Sequence, residues 1–196
     1  FLGHFQARPQ RFAEHVLDAE VHEPEGVLPV AGARQDPESR EVLAGELRRA
    51  RGFAPVVVFA GEASRLPADA AAAHAAWLAA GGRCLDGIPE QAFGLAIDAL
   101  FGIGLARPLE GRHADLVARL NALACPVLAL DIPSGLDAES GRVHGCAVRA
   151  DHTASFIALK PGLLTGAGPD HCGEISVHDL GLQAAAGSDA GATVAP

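Results

Sequence analysis

Pro126-Val127-Leu128-Ala129-Leu130-Asp131-Ile132-Pro133-Ser134-Gly135-Leu136-Asp137 decides how this chain is read. An unbroken apolar run of strand length ends on a carboxylate, then enters a turn built from Pro, Ser and Gly. Leu95-Ala96-Ile97-Asp98-Ala99-Leu100 repeats the pattern and runs into Phe101-Gly102-Ile103-Gly104. Continuously apolar strands are those buried on both faces, as in parallel sheets covered by helices. An acid in such a strand costs several kcal/mol if buried without a partner, so each aspartate is expected at a strand end, facing a cation, a donor or a ligand.

The rest of the chain fits the same frame. Strands are expected at Val27–Ala31, weakened by Pro29, and at Pro55–Ala60, Arg83–Leu85, His152–Leu159 and Glu174–His178. Helices are expected at Glu38–Arg51, at Pro67–Ala80 with Pro at its first turn and a Gly81-Gly82 stop, and at Glu110–Leu123. Strands alternating with helices predict a Rossmann-like three-layer α/β/α sandwich with a mostly parallel central sheet and right-handed crossovers. Ligands in such folds sit outside the carboxyl ends of the strands. Asp98, Asp131 and Ser134 are therefore expected at one edge of the sheet, within about 10 Å of one another.

Composition narrows the function. The 196 residues carry 24 acidic and 15 basic side chains, a formal charge of −9, which excludes a binder of nucleic-acid backbone. No apolar run approaches the roughly 18 residues of a bilayer span and no leader opens the chain, so membrane association is not expected and the reading is cytoplasmic. Cys84, Cys125, Cys146 and Cys172 lack metal-ligand spacing and read as free thiols. The start at Phe1 reads as a fragment or processed piece, and residues 183–196 as a linker-like tail.

Several residues stand out chemically. Gly102-Ile103-Gly104-Leu105-Ala106-Arg107-Pro108 is a glycine-bearing loop before a helix, suited to holding an anion on backbone N–H groups, with Arg107 as a further phosphate contact. Asp131 and Ser134 place a carboxylate and a hydroxyl in one turn, an arrangement for a general acid/base beside a hard-cation site made of oxygens; its bland alternative is a rigid turn. Lys160 is the chain's one lysine beside fourteen arginines, at the end of an apolar strand, where a compact ammonium does what a guanidinium does not. His152, at a strand start, reads as structural. No phosphate-binding GxxxxGK[ST] stretch is present, which argues against a nucleotide or sugar kinase.

Taken in order, DALFGIGLARPLEG (98–111), PVLALDIPSGLDAESG (126–141), AVRADHT (147–153), FIALKPGLLTG (156–166) and CGEISVHDLGL (172–182) resemble the YjeF N-terminal domain family, the NAD(P)H-hydrate epimerases. The resemblance runs over 51–182, leaving 1–50 as a divergent N-terminal part of the same domain. It implies an isomerase that interconverts the R and S hydrates of NADH and NADPH (NADHX and NADPHX) and uses a potassium ion. It further implies a possible homodimer and a dehydratase domain following in the full chain. Carried over by motif, Asp98 and Ser134 fall on potassium positions, and Gly102, Ile103, Gly104, Leu105, Ala106, Arg107, Pro108 and Asp131 on substrate positions. Asp131 is then the general acid/base and Lys160 its electrostatic support.

The family's first loop is rich in glycine and asparagine. Here Gly32-Ala33-Arg34-Gln35-Asp36-Pro37-Glu38-Ser39-Arg40 has one glycine and no asparagine, which predicts weaker phosphate affinity and slow turnover. The competing reading is a non-catalytic ligand-binding or protein-interaction module of the same fold.

Overall fold

The computed structural model describes residues 27–31 and 55–178. These residues form a sheet of seven strands: β1 Val27–Ala31, β2 Val57–Phe59, β3 Cys84–Leu85, β4 Leu95–Ala99, β5 Val127–Leu130, β6 His152–Phe156 and β7 Glu174–His178. Their spatial order is β3-β2-β1-β4-β5-β6-β7. Every pairing is parallel. Two α-helices accompany them, α1 Ala68–Ala79 and α2 Arg112–Asn121.

The pleat sorts the apolar runs to two faces. Val58, Ala96 and Val127 pack with Leu116, Val117 and Leu120 of α2. Leu95, Ile97, Ala99 and Leu130 form a separate cluster on the opposite face. Phe59, next to Val58 and so turned the other way, meets the His74 ring of α1 at 5.3 Å. The two helices therefore cover opposite faces. Right-handed crossovers require this, because β2 to β3 runs toward one end of the sheet and β4 to β5 toward the other. The direction of winding reverses between β1 and β4, and a cleft opens outside the carboxyl ends at such a reversal. β4, which carries Asp98, borders it.

The three-layer parallel fold expected from the sequence is the one observed, with four local differences. β1 lies inside the sheet despite Pro29; its pairing with β2 begins only at Val30, so the ladder on that side starts after the proline. α2 starts at Arg112, two residues late, because Gly111 takes a φ of 53° and Leu109 gives its N–H to the His144 carbonyl at 2.9 Å. β6 stops at Phe156 rather than Leu159, since Ile157 turns to a φ of 67°. The expected helix Glu38–Arg51 and the loop 32–40 lie outside the described residues.

All four cysteines are free thiols. Burial pushes each of them up from the ordinary thiol value, which keeps them in the inert, protonated form. Among the described residues no helix is long and apolar enough to cross a membrane.

Candidate active site

Asp98 is 1% exposed and lies one residue before the end of β4. Burying an ionised carboxylate is tolerable only with strong hydrogen bonds, and the loop after β5 supplies them. Ser134 gives its backbone N–H to Asp98 Oδ2 at 2.7 Å and its hydroxyl to Oδ1 at 2.6 Å. Leu100 N–H adds a bond to Oδ1 at 3.2 Å. The Ser134 hydroxyl oxygen also accepts Phe101 N–H at 2.8 Å and stands 3.1 Å from the Phe101 carbonyl oxygen. Carboxylate, hydroxyl and carbonyl oxygens thus converge at one point. Its ligands come from two loops that the sequence separates by 36 residues.

Asp131 lies one strand over. β4 and β5 are in register at Asp98 and Ala129, which puts the Asp131 backbone about 8 Å from that of Asp98. Asp131 has a φ of 72°. Its neighbours close a three-residue turn around it, with Ile132 N–H on the Leu130 carbonyl at 3.0 Å. This is the rare γ-turn with positive φ, a conformation that costs about 1–3 kcal/mol and persists where the surroundings impose it. They do so here, because Asp131 N–H extends the β5–β6 ladder to the Ala154 carbonyl at 2.7 Å.

The turn hands the Asp131 side chain to β6. Its Oδ1 accepts Phe156 N–H at 3.3 Å and forms an ion pair with Lys160 Nζ. Lys160 Nζ also donates to Ser155 Oγ at 3.1 Å and to the Phe156 carbonyl at 2.7 Å. An ammonium has three donors, and all three are spent. Asp131 Oδ1 is likewise occupied, while Oδ2 has no partner among the described residues and the side chain is 17% exposed. The pair thus presents one oriented carboxylate oxygen at the carboxyl edge of the sheet.

Close backbone contact fixes the two loops that carry the pair. Gly162, just after Lys160, gives its N–H to the Ala138 carbonyl at 2.7 Å, and a Cβ there would collide with the Asp137 carbonyl. Gly135 has a φ of 96° and lies against the Cys146 carbonyl, where no side chain fits. Asp137 closes the turn: the Ser140 hydroxyl, then the Ser140 N–H, His144 and the Glu139 N–H, hold its carboxyl far below the usual range.

The loop 102–108 reaches the same edge from β4. Gly102 is buried, Gly104 takes a φ of 98°, and Arg107 is exposed with no partner among the described residues. Three residues separate Pro108 from α2, so the loop does not lead directly into the helix as expected; its backbone stands apart from the helix start.

Sequence reasoning picked out Asp98, Asp131, Ser134, Lys160 and the loop 102–108, and the structure brings Asp98 to Ser134 and Asp131 to Lys160. It does not bring Asp131 to Ser134: the turn expected to combine them sends the two side chains to different neighbours. The Phe101 carbonyl and Ser155 were missed. A carbonyl has no sequence signature, but Ser155, five residues before Lys160 in an apolar strand, was a readable signal. His152 is buried in β6, sharing a hydrogen bond of 2.9 Å with Ser176. Burial lowers its pKa below the ordinary histidine value. Among the described residues no group of His, Cys, Asp and Glu has the makings of a transition-metal site.

A parallel sheet reversing at β1/β4, with an oxygen cluster and an acid–ammonium pair at its carboxyl edge, defines a ligand-binding domain of the doubly wound class. Within that class the chain belongs to the family described as YjeF-related protein N-terminus, whose model matches residues 10–162. It is similar to the NAD(P)H-hydrate epimerase of Bordetella pertussis, 45% identical over 145 residues, covering 72% of this chain and 64% of that one. The Achromobacter xylosoxidans NAD(P)H-hydrate epimerase is 48% identical over 136 residues, covering 68% and 65%. The bifunctional NAD(P)H-hydrate repair enzyme of Leishmania infantum is 46% identical over 124 residues, covering 60% of this chain and 22% of its own. The chain thus spans just under two thirds of the bacterial relatives and less than a quarter of the Leishmania one. A yeast protein, ynu0, has a crystal structure that superposes with a TM-score of 0.63 at 16% identity, covering 85% of this chain and 72% of that chain, a likeness of fold.

Proposed function

We propose that this chain epimerises the R and S hydrates of NADH and NADPH, with Asp131 as general acid/base and Lys160 as its support. The names of the bacterial relatives support the substrate class. The observation that carries the chemistry is the single unspent oxygen, Oδ2, of an Asp131 carboxylate fixed by Lys160.

The hydroxyl-bearing carbon of the hydrate adjoins the ring nitrogen. When the C–O bond breaks, the nitrogen lone pair forms C=N and the hydroxyl takes a proton from Asp131 to leave as water. Water then adds to the other face, the C–O bond re-forms, the nitrogen recovers its lone pair and the surplus proton returns to Asp131. The side chain ends the cycle unchanged, as an epimerase requires, and a positioned acid/base of this kind is worth roughly 10²–10⁴ in rate. Lys160 keeps charge of the opposite sign against the carboxylate and fixes its rotamer. Loop 102–108, with Arg107, would hold substrate phosphate on its backbone N–H groups.

The Asp98 carboxylate, the Ser134 hydroxyl and the Phe101 carbonyl are hard oxygen donors and suit potassium, an ion of that preference. When bound, the ion supplies positive charge at the substrate's anionic end. We further infer that residues 51–182 are the working unit, that the complete protein acts in the cytoplasm as a homodimer, and that a dehydratase domain follows. The word "bifunctional" in the Leishmania relative's name supports the last point.

The test is to mix the purified chain with one hydrate epimer and follow the other by chromatography. We expect equilibration faster than in buffer, and faster in potassium than in a salt of a larger organic cation. An unaccelerated rate overturns the proposal.

A further inference from the structure

The γ-turn at Asp131 has a twin. At the end of β6, Ile157 takes a φ of 67°, and Ala158 gives its N–H to the Phe156 carbonyl at 2.7 Å. Ile157 N–H extends the β6–β7 ladder to the His178 carbonyl at 2.7 Å, as Asp131 N–H extends the β5–β6 ladder to Ala154. Two adjacent strands therefore end in the same uncommon turn. Asp tolerates positive φ, whereas a β-branched residue there is an outlier that glycine would relieve. The Ile157 side chain is nevertheless 61% exposed, so it fills no gap in the core that would account for the strain.

Its place supplies a reason. The Asp131 carboxylate accepts the N–H of Phe156, the residue immediately before Ile157, and Lys160 Nζ takes the Phe156 carbonyl. Ile157 thus sits at the rim of the acid–ammonium pair, an apolar group beside the one free carboxylate oxygen. Strain kept at such a point is a mark of function.

We propose that Ile157 is a substrate-positioning residue, its branched side chain forming the apolar wall against which the face of the hydrated nicotinamide ring packs beside Asp131. This rests on the epimerase reading above. The ring is largely apolar on its faces and polar at its edge, so a wall at Ile157 leaves the hydroxyl-bearing carbon turned toward Asp131 Oδ2. Covering an exposed side chain of this size also removes water from around the carboxylate, which strengthens its interaction with the reacting carbon.

Three variants separate this role from a structural one. Ile157→Gly removes the wall and the strain together, Ile157→Asn keeps a residue tolerant of positive φ but makes it polar, and Ile157→Val retains most of the apolar surface. We expect Gly and Asn to raise the KM for NADHX about 10-fold or more. In both, kcat should move less, and Tm should hold or rise because φ strain is relieved. The Val variant should stay within about 3-fold of the parent KM. An unchanged KM in the Gly and Asn variants of an active protein overturns the proposal, as does a lower Tm with unchanged KM. Failure of the parent chain to bind or turn over the hydrates overturns the epimerase reading and this proposal together.

Discussion

Ser134 gives its hydroxyl proton to Asp98 at 2.6 Å while the same oxygen accepts Phe101 N–H at 2.8 Å, so one side chain from the loop after β5 ties down the end of β4. The pair joins the two strands next to the point where the sheet's winding reverses. A fault at either residue is felt both in the site and in the fold.

Ser134→Ala leaves Phe101 N–H and Asp98 Oδ1 each short of a partner. The expected loss is about 1–3 kcal/mol per unsatisfied buried group. A denaturant titration reads this directly. In the same variant, potassium stimulation of epimerisation should shrink; full stimulation would remove Ser134 from the ion site.

Asp131→Asn keeps the shape and an acceptor for Phe156 N–H but cannot cycle a proton. Turnover of the hydrates should fall about 10²-fold or more, with Tm within a few degrees of the parent. Lys160→Arg should not rescue function, because the three acceptors around Nζ are placed for a compact ammonium and a planar guanidinium cannot meet all of them. Parental rates in either variant would move the chemistry elsewhere.

Gly135→Ala tests the packing that carries the site. The position combines a φ of 96° with backbone atoms of Cys146 and Ala147 where a Cβ would go. Chemical denaturation should show a loss of at least about 1 kcal/mol from the conformation alone, and more from the collision. An equally stable Ala variant would contradict the close approach.

Acid should weaken the fold in two stages. The folded-state pKa of His152 is lowered by burial, so its stabilising neutral form is fully in place above the unfolded value of about 6.5 and is lost as pH falls toward the folded one. Asp137, held below its usual value chiefly by Ser140, contributes stability above about pH 3.9 that disappears as pH falls through its folded value. Denaturant midpoints measured downward from neutral pH should therefore drop first below about 6.5, and His152→Gln should remove that first drop. A midpoint flat to about pH 5 would contradict the burial of His152.

Replacing the Gln35–Glu38 stretch by glycines and an asparagine should tighten NADPHX binding in a titration, since it removes two carboxylates and frees backbone N–H groups for phosphate. Potassium-dependent binding by the unaltered chain as tight as by the rebuilt one would show that the acidic loop is no handicap.

The sheet was legible because its strands are buried on both faces. Burial makes β4 and β5 read as unbroken apolar runs, and the acids that interrupt or end them stand out as expensive exceptions at Asp98 and Asp131. The lone Lys160 announced itself through composition. Strand ends were less legible: β6 was expected to continue to Leu159, since nothing in FIAL announces that an isoleucine will take a positive φ. That conformation is imposed by the β6–β7 ladder and the Lys160 contact, both made by distant residues.

The sequence by itself determined the layered parallel fold and the residues worth watching, because hydrophobic period and the cost of a buried charge act locally along the chain. Only the tertiary structure decided who partners whom. The spacing of Asp131 and Ser134 suggested one shared turn, yet Ser134 crosses to Asp98 and Asp131 crosses to Lys160. Hydrogen bonds reach about 3 Å in space whatever the distance in sequence. Adjacent parallel strands bring residues 36 and 29 positions apart within that reach, while a γ-turn turns near neighbours away from each other.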